Sequence, residues 1–313
     1  MKKVLLISLA SILGLFVLLG TITIYRAQRA DYGWDPAVAS PMFKSTHPRV
    51  VIDEAHNNAS TAGWTGRYWP FARLLRNDGY DVRRGTNLFS SASLDSVAIL
   101  VIANASGAPK PQFLGINIPT STERKREDPA FTSEEIRAVH AWVENGGSLL
   151  LIADHAPFGA ASAALAEAFG VRMHKGFVEV PNEVSDPLVF SDENSRLANH
   201  VILAGGSPEF AVRRVMTFTG QSLDGPDNAT VLLRLPDSAV EYVAEGGDEL
   251  KPQSAGNAQG LALECGKGRV VILGEAAMLT SQVAEGEPFG MNIPVNDNRQ
   301  LALNIMHWLS HVL

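Results

Sequence analysis

The chain has 313 residues, 46% hydrophobic and 19% charged, which is enough for one large or two small globular cores. Its formal net charge is −7, and its densest basic run, Arg124, Lys125 and Arg126, lies beside Glu123, Glu127 and Asp128. That balance argues against nucleic acid as a partner, and a single cysteine, Cys265, excludes an internal disulfide or a Cys/His zinc pattern.

Residues 4–24 carry no charge and follow Lys2 and Lys3. As a helix they would span about 30 Å, the hydrocarbon thickness of a bilayer. The run is longer than the apolar core of a cleaved signal, and no good small-x-small cleavage site follows it. The sequence therefore predicts a transmembrane signal anchor over 1–26 and a linker over 27–47. It also predicts a membrane partner through 4–24, and a single-pass inner-membrane protein whose body, 48–313, lies outside the cytoplasm.

Beyond the linker, short β-rich runs alternate with helical patterns, as in a mostly parallel sheet with crossover helices. "RVVID" (Arg49–Asp53) reads as the first strand. "WPFARLLRNDGY" reads as a helix with Pro70 in its first turn and Asn77-Asp78-Gly79 as its stop. "YDVRR" and the nearly all-apolar "AILVIAN" follow as strands. A long polar stretch, 105–131, ends at Thr132, which with Glu135 makes a capping box for a helix carrying Ile136, Val139 and Val143 on one face. Gly146 suits its left-handed cap, and "SLLLIAD" is the next buried strand. "HAPFG" then leads into an alanine-rich helix. Residues 171–245 turn strand-like and irregular. A hairpin through Gly266-Lys267-Gly268 precedes a strand over Arg269–Leu273, a helix is expected from near Glu275, and a last helix places Leu301, Ile305, Trp308 and Leu309 on one face.

The letters Asp53-Glu54-Ala55-His56 spell the magnesium motif of helicase ATPases. A phosphate cradle G-x-x-x-x-G-K-[ST] should precede it, and none does; the single Gly266-Lys267 pair is followed by Gly268. A helicase is excluded.

The position of those residues remains informative, because open parallel sheets bind ligands beyond the carboxyl ends of their strands. Asp53, Glu54, His56 and Asn57 follow one such end, Asn104 a second, Asp154 and His155 a third, and Glu275 a fourth. "VVIDEAHNN", "ILVIANA", "FTSEEIRAVHAWVENGGSLLLIADHAPFG", "GRVVILGEAAML" and "DNRQLALNIMHWL" together resemble an uncharacterised bacterial membrane-anchored family with a class I glutamine amidotransferase-like domain. The resemblance covers most of 48–313 and is weakest over 171–245. It implies an α/β fold, a flavodoxin-like three-layer sandwich with a strand-rich insertion. Family members include proteins accessory to membrane complexes, which implies a protein partner of that kind. True amidotransferases carry a cysteine on the turn that here reads Asp154-His155-Ala156-Pro157, with a histidine and a glutamate after a late strand. Cys265 is far from that slot and no histidine accompanies Glu275, so glutaminase chemistry has no nucleophile.

Three functional classes remain. The leading one is a non-catalytic module that binds a small polar ligand or a protein partner through Asp53, His56, Asn57, Asn104 and Glu275, with no cofactor expected. The second is a metal-dependent hydrolase with zinc or manganese on Asp53, His56, Asp154 and His155, and Glu54 or Glu275 as base. The third is metal-free acid/base catalysis by Asp154 and His155, with Glu54 as a further candidate. His140, His307 and His311 read as helix residues outside any site.

Overall fold

In a computed structural model, the described residues are 28–107, 128–183, 187–244 and 249–313, with the backbone of 112–113 and 116–117. Nine strands make the main sheet: β1 (Arg49–Asp53), β2 (Asp81–Gly85), β3 (Ile99–Ala103), β4 (Ser148–Ile152), β5 (Arg172–Met173), β6 (Leu223–Asp224), β7 (Thr230–Arg234), β8 (Ala258–Cys265) and β9 (Gly268–Leu273). The strand order is β2-β1-β3-β4-β9-β8-β6-β5, with β7 also on β8. The first five in that order are parallel, and the strands beyond β9 pair antiparallel.

The inner parallel strands β3 and β4 are almost wholly apolar because each is covered on both faces, whereas the edge strand β2 reads Asp-Val-Arg-Arg-Gly and is half exposed. Val50, Ile52, Ile99, Val101, Leu150, Ile152, Val271 and Leu273 point into one core, with α1 (Trp69–Asn77) and α4 (Asn298–Leu309) packed over them. Leu100, Ile102, Leu149, Leu151, Val270 and Ile272 point into the other, under α2 (Ser133–Glu144) and α3 (Phe158–Glu167). This split follows from connection handedness. The chain steps from β1 outward to β2 through α1, then returns to β3 and steps the opposite way to β4 through α2. Right-handed crossovers in opposite directions must lie on opposite faces. The result is a mixed α/β domain with a large sheet.

The expected helix ends hold. Pro70 sits in the first turn of α1, the Thr132–Glu135 capping box is complete in both directions, and Gly146 has φ +115°. Two expectations need correction. No α-helix begins near Glu275: a single 3-10 turn, Ala277–Leu279, gives way to the hairpin Ser281–Ala284/Glu287–Gly290. The membrane expectations (the transmembrane signal anchor, the membrane partner through 4–24 and the single-pass inner-membrane placement) are also corrected. No helix among the described residues is long and apolar enough to cross a membrane, and residues 1–27 lie outside the described residues.

Part of the stretch read as a linker is built into the fold. Arg29–Ala30 pairs antiparallel with Gln282–Val283 as the edge of that hairpin, and Phe43 packs edge-on against Tyr80 at 4.7 Å. The irregular region contains short antiparallel pairs, Leu188–Ser191 with Arg214–Thr217, and Val240–Ala244 between Phe177–Glu179 and Leu250–Ser254.

Candidate functional site

The groups at the end of β1 form a closed network. His56 is 3% exposed and lies between two carboxylates, with Nδ1 2.9 Å from Asp53 and Nε2 2.8 Å from Glu135. The rings of Phe89 and Phe131 stand against its imidazole at 4.5 and 4.8 Å. Burial opposes charging of the ring, but the hydrogen bonds and charges of Asp53 and Glu135 prevail, so His56 holds its proton above the usual histidine range. Glu135 is buried too, yet it accepts from the Thr132 and Phe89 backbone N–H groups and from His56, and these hold its carboxyl below the ordinary value. One glutamate thus caps α2 and clamps His56. Glu54 turns the other way. It accepts the Ala62 N–H at 2.9 Å and pairs with Arg84 of β2. Asn57 is exposed with φ +50°, a turn position, whereas Asn58 is buried and accepts the His56 N–H.

The end of β9 is equally committed. Both carboxylate oxygens of Glu275 accept backbone N–H groups, from Ala277 at 2.6 Å and Met278 at 2.7 Å, so this fully buried residue caps the 3-10 turn.

The ends of β3 and β4 differ. Asn104, with φ +50°, accepts the Asp154 N–H at 2.9 Å and thereby sets the start of the turn that follows β4. Asp154 accepts the His155 N–H, and the His155 ring stacks on Phe177 at 4.6 Å with 18° between planes. Gln221 holds this turn from behind, donating to the carbonyls of Ala153 and Asp154. Gly159 makes room for it, since a Cβ there would lie 2.4 Å from the Gln221 amide.

Asn104, Asp154 and His155 line a cavity of about 140 Å³ outside the carboxyl ends of β3, β4 and β9. Ser60 and Arg67 border it from the β1–α1 loop, Phe218 and Phe289 supply apolar wall, and Thr280 and Gln282 come from the late hairpin. Its titratable groups are under-paired. The Arg67 guanidinium makes no hydrogen bond or ion pair with any described residue, although it feels the charge of Asp154. Desolvation draws Arg67 below its ordinary value, and that charge opposes the shift. Desolvation also pushes the Asp154 carboxyl up, against the lowering effects of His155, Arg67 and Asn104. A larger open groove of about 830 Å³ runs along residues 192–213, but its facing charges, Asp192 and Arg213, pair with each other at 3.2 Å and no parallel strand ends there. The small cavity is the better candidate site.

Of the residues expected to act together, Asn104, Asp154 and His155 share this cavity, whereas Asp53, Glu54, His56, Asn57 and Glu275 do not line it. Among the described residues no group of three His, Cys, Asp or Glu side chains is arranged to hold a metal ion. Cys265 lies at the other end of the sheet: it pairs with Gly268, next to Arg269, which is in register with the first residue of β4. Its Sγ is 3.9 Å from His140, and burial raises its thiol pKa. Sequence reasoning missed Arg67 and Gln282. The first sits in a loop without a motif, and the second was assigned to a helix that does not form.

No family model matches this sequence, and no curated protein does. Among solved structures, the N-terminal domain of mmIFT52 superposes with a TM-score of 0.56 at 14% identity, over 83% of this chain and 97% of that one. A ThuA-like protein from Bacteroides uniformis gives 0.45 at 13% identity, over 89% and 95%. A GMP synthase subunit from Thermoplasma acidophilum gives 0.42 at 15% identity, over 86% and 96%. At these identities the likeness concerns the fold alone.

Proposed function

We propose that this chain is a non-catalytic binding module on a flavodoxin-like, amidotransferase-type scaffold, holding a small polar ligand in the cavity beyond β3, β4 and β9. The parallel order β2-β1-β3-β4-β9, with helices on both faces, supports the scaffold reading. The observation that carries the functional reading is the composition of the cavity. It has charged walls left without mutual pairing and no cysteine, since Asp154 and His155 occupy the turn and Cys265 is at the opposite sheet end. A group that finds no partner among the described residues is available to one that arrives.

The test is thermal unfolding of the full-length protein with a broad panel of small amino acids, organic acids, amines, sugars and amides. A ligand at a hundred times its dissociation constant raises stability by about 2.7 kcal/mol. At least one compound is expected to give a saturable rise in midpoint, with no ammonia released from glutamine. A panel without any shift, or glutamine turnover, would overturn the reading.

A further inference from the structure

Resting on the binding-module reading, we infer that the cavity selects small zwitterions: molecules carrying a carboxylate for Arg67 and an N–H-bearing ammonium for Asp154 and Gln282.

Two independent features lead there. The first is charge placement. Arg67 and Asp154 border one small cavity and sense each other electrostatically, yet they form no ion pair. A lone anion would satisfy Arg67 but meet the Asp154 carboxylate, and a lone cation would have the reverse difficulty. A molecule with both charges, separated by one or two carbons, answers each wall with its opposite.

The second feature is an unanswered acceptor. Gln282 is 1% exposed, lines the cavity, and its Oε1 has no hydrogen-bond partner. The orientation of this amide is fixed by its neighbour. The Thr280 hydroxyl donates its only proton to the Ala277 carbonyl at 2.7 Å, so towards Gln282 it can only accept, and it takes the Nε2–H at 2.6 Å. The remaining oxygen therefore asks for a donor. Buried acceptors are almost always satisfied in native proteins, so this oxygen calls for a donor, and its place in the lining of the cavity makes an incoming N–H one that can serve. An ammonium carries enough N–H groups to donate to both Gln282 and Asp154, which line the same cavity.

Size limits the choice further. About 140 Å³ is the share of roughly five liquid waters, which admits about five to eight heavy atoms. Glycine, alanine, serine and β-alanine are molecules of this size. Phe218 and Phe289, 4.2 Å apart at their centroids, offer apolar wall to a short carbon chain.

The experiment is titration calorimetry of the full-length protein with glycine, alanine, β-alanine, acetate, methylammonium, glycine betaine and a neutral amide. Wild type is compared with Arg67→Gln, Asp154→Asn and Gln282→Leu, and unfolding midpoints without ligand confirm that each variant folds. At least one N–H zwitterion is expected to bind ten times or more tightly than acetate, methylammonium or the amide. Glycine betaine, which has both charges but no N–H, is expected to bind tenfold or more weakly than glycine in wild type, and that disadvantage is expected to shrink in Gln282→Leu, where Asp154 alone still accepts an N–H. Arg67→Gln and Asp154→Asn are each expected to weaken the zwitterion by tenfold or more. Acetate, methylammonium or the amide binding as well as any zwitterion would overturn the selectivity and leave the binding module standing. Zwitterion binding unchanged in the folded variants would also overturn it. No binding by any compound here, together with a flat broad panel, would remove both readings.

Discussion

Two sets of polar groups leave the carboxyl edge of the same sheet, and they are built in opposite ways. Around His56 every group is matched: the ring has a carboxylate on each nitrogen and a phenyl ring on two sides, and Glu135 also closes the cap of α2. Around Asp154, a guanidinium and an amide oxygen line the same cavity without partners among the described residues. From the sequence alone the first set looks the richer in chemistry, since Asp53, Glu54 and His56 crowd within four residues. Its saturation makes it part of the framework. Density of titratable residues does not by itself leave hydrogen-bonding capacity open.

The contrast can be broken first at His56. Replacing it by leucine leaves Asp53 and Glu135 buried without the cation between them, and breaking such a network costs about 3–5 kcal/mol. Urea denaturation should show that loss; a change under about 1 kcal/mol would mean the three residues do not act as a unit. Acidity sharpens the same point. Because folded His56 binds its proton more tightly than the unfolded residue, whose value is 6.5, its contribution is complete below that value. It disappears as pH rises through the higher folded value. Glu135, depressed below 4.5, contributes above that value and loses its contribution as pH falls through the lower folded value. Between pH 4.5 and 6.5 both contributions are present. Each proton contributes a slope of at most about 1.4 kcal/mol per pH unit. Midpoints measured across pH should fall on the alkaline side, and His56→Leu should flatten that limb.

Tyr68→Phe is next. The wholly buried hydroxyl donates to the Ala276 carbonyl at 2.9 Å, so its loss strands an acceptor and should cost about 1–2 kcal/mol by calorimetric unfolding. Thr132→Ala opens one half of the capping box and should cost about 1 kcal/mol, read from the denaturation midpoint. At the small end stand Arg67→Gln and Asp154→Asn without ligand. Neither breaks a side-chain ion pair, so each should change stability by no more than about 0.5 kcal/mol. A loss of about 2 kcal/mol in either, the scale of a broken buried network, would show the cavity to be framework as well, and the contrast would disappear.

The parallel half of the fold was legible because burial on both faces leaves nothing but apolar residues in β3 and nearly so in β4, and because Thr132, Glu135 and Gly146 mark helix ends by local chemistry. Residues 171–245 resisted for the opposite reason. Their strands are two to five residues long, pair with distant partners, and shift register twice where β7 meets β8. Strand-end logic singled out Asn104, Asp154 and His155, which line one small cavity. Nothing local announces Gln282: "LTSQVA" carries a helix-compatible pattern, and only pairing with Arg29–Ala30 on one side and Glu287–Gly290 on the other fixes it as a strand.

That pairing has a mechanical consequence. The strand Arg29–Ala30 has just two residues in register, opposite Val283 and Gln282, with Asp31 held by the Ser281 carbonyl and the Asn292 amide beyond it. Tension on the chain ahead of Gln28 therefore loads the residue that presents the unmet oxygen before it reaches the large sheet. The fold places a two-residue seam between a pull on that side and the candidate cavity, so tugging there should disturb the cavity before the large sheet gives way.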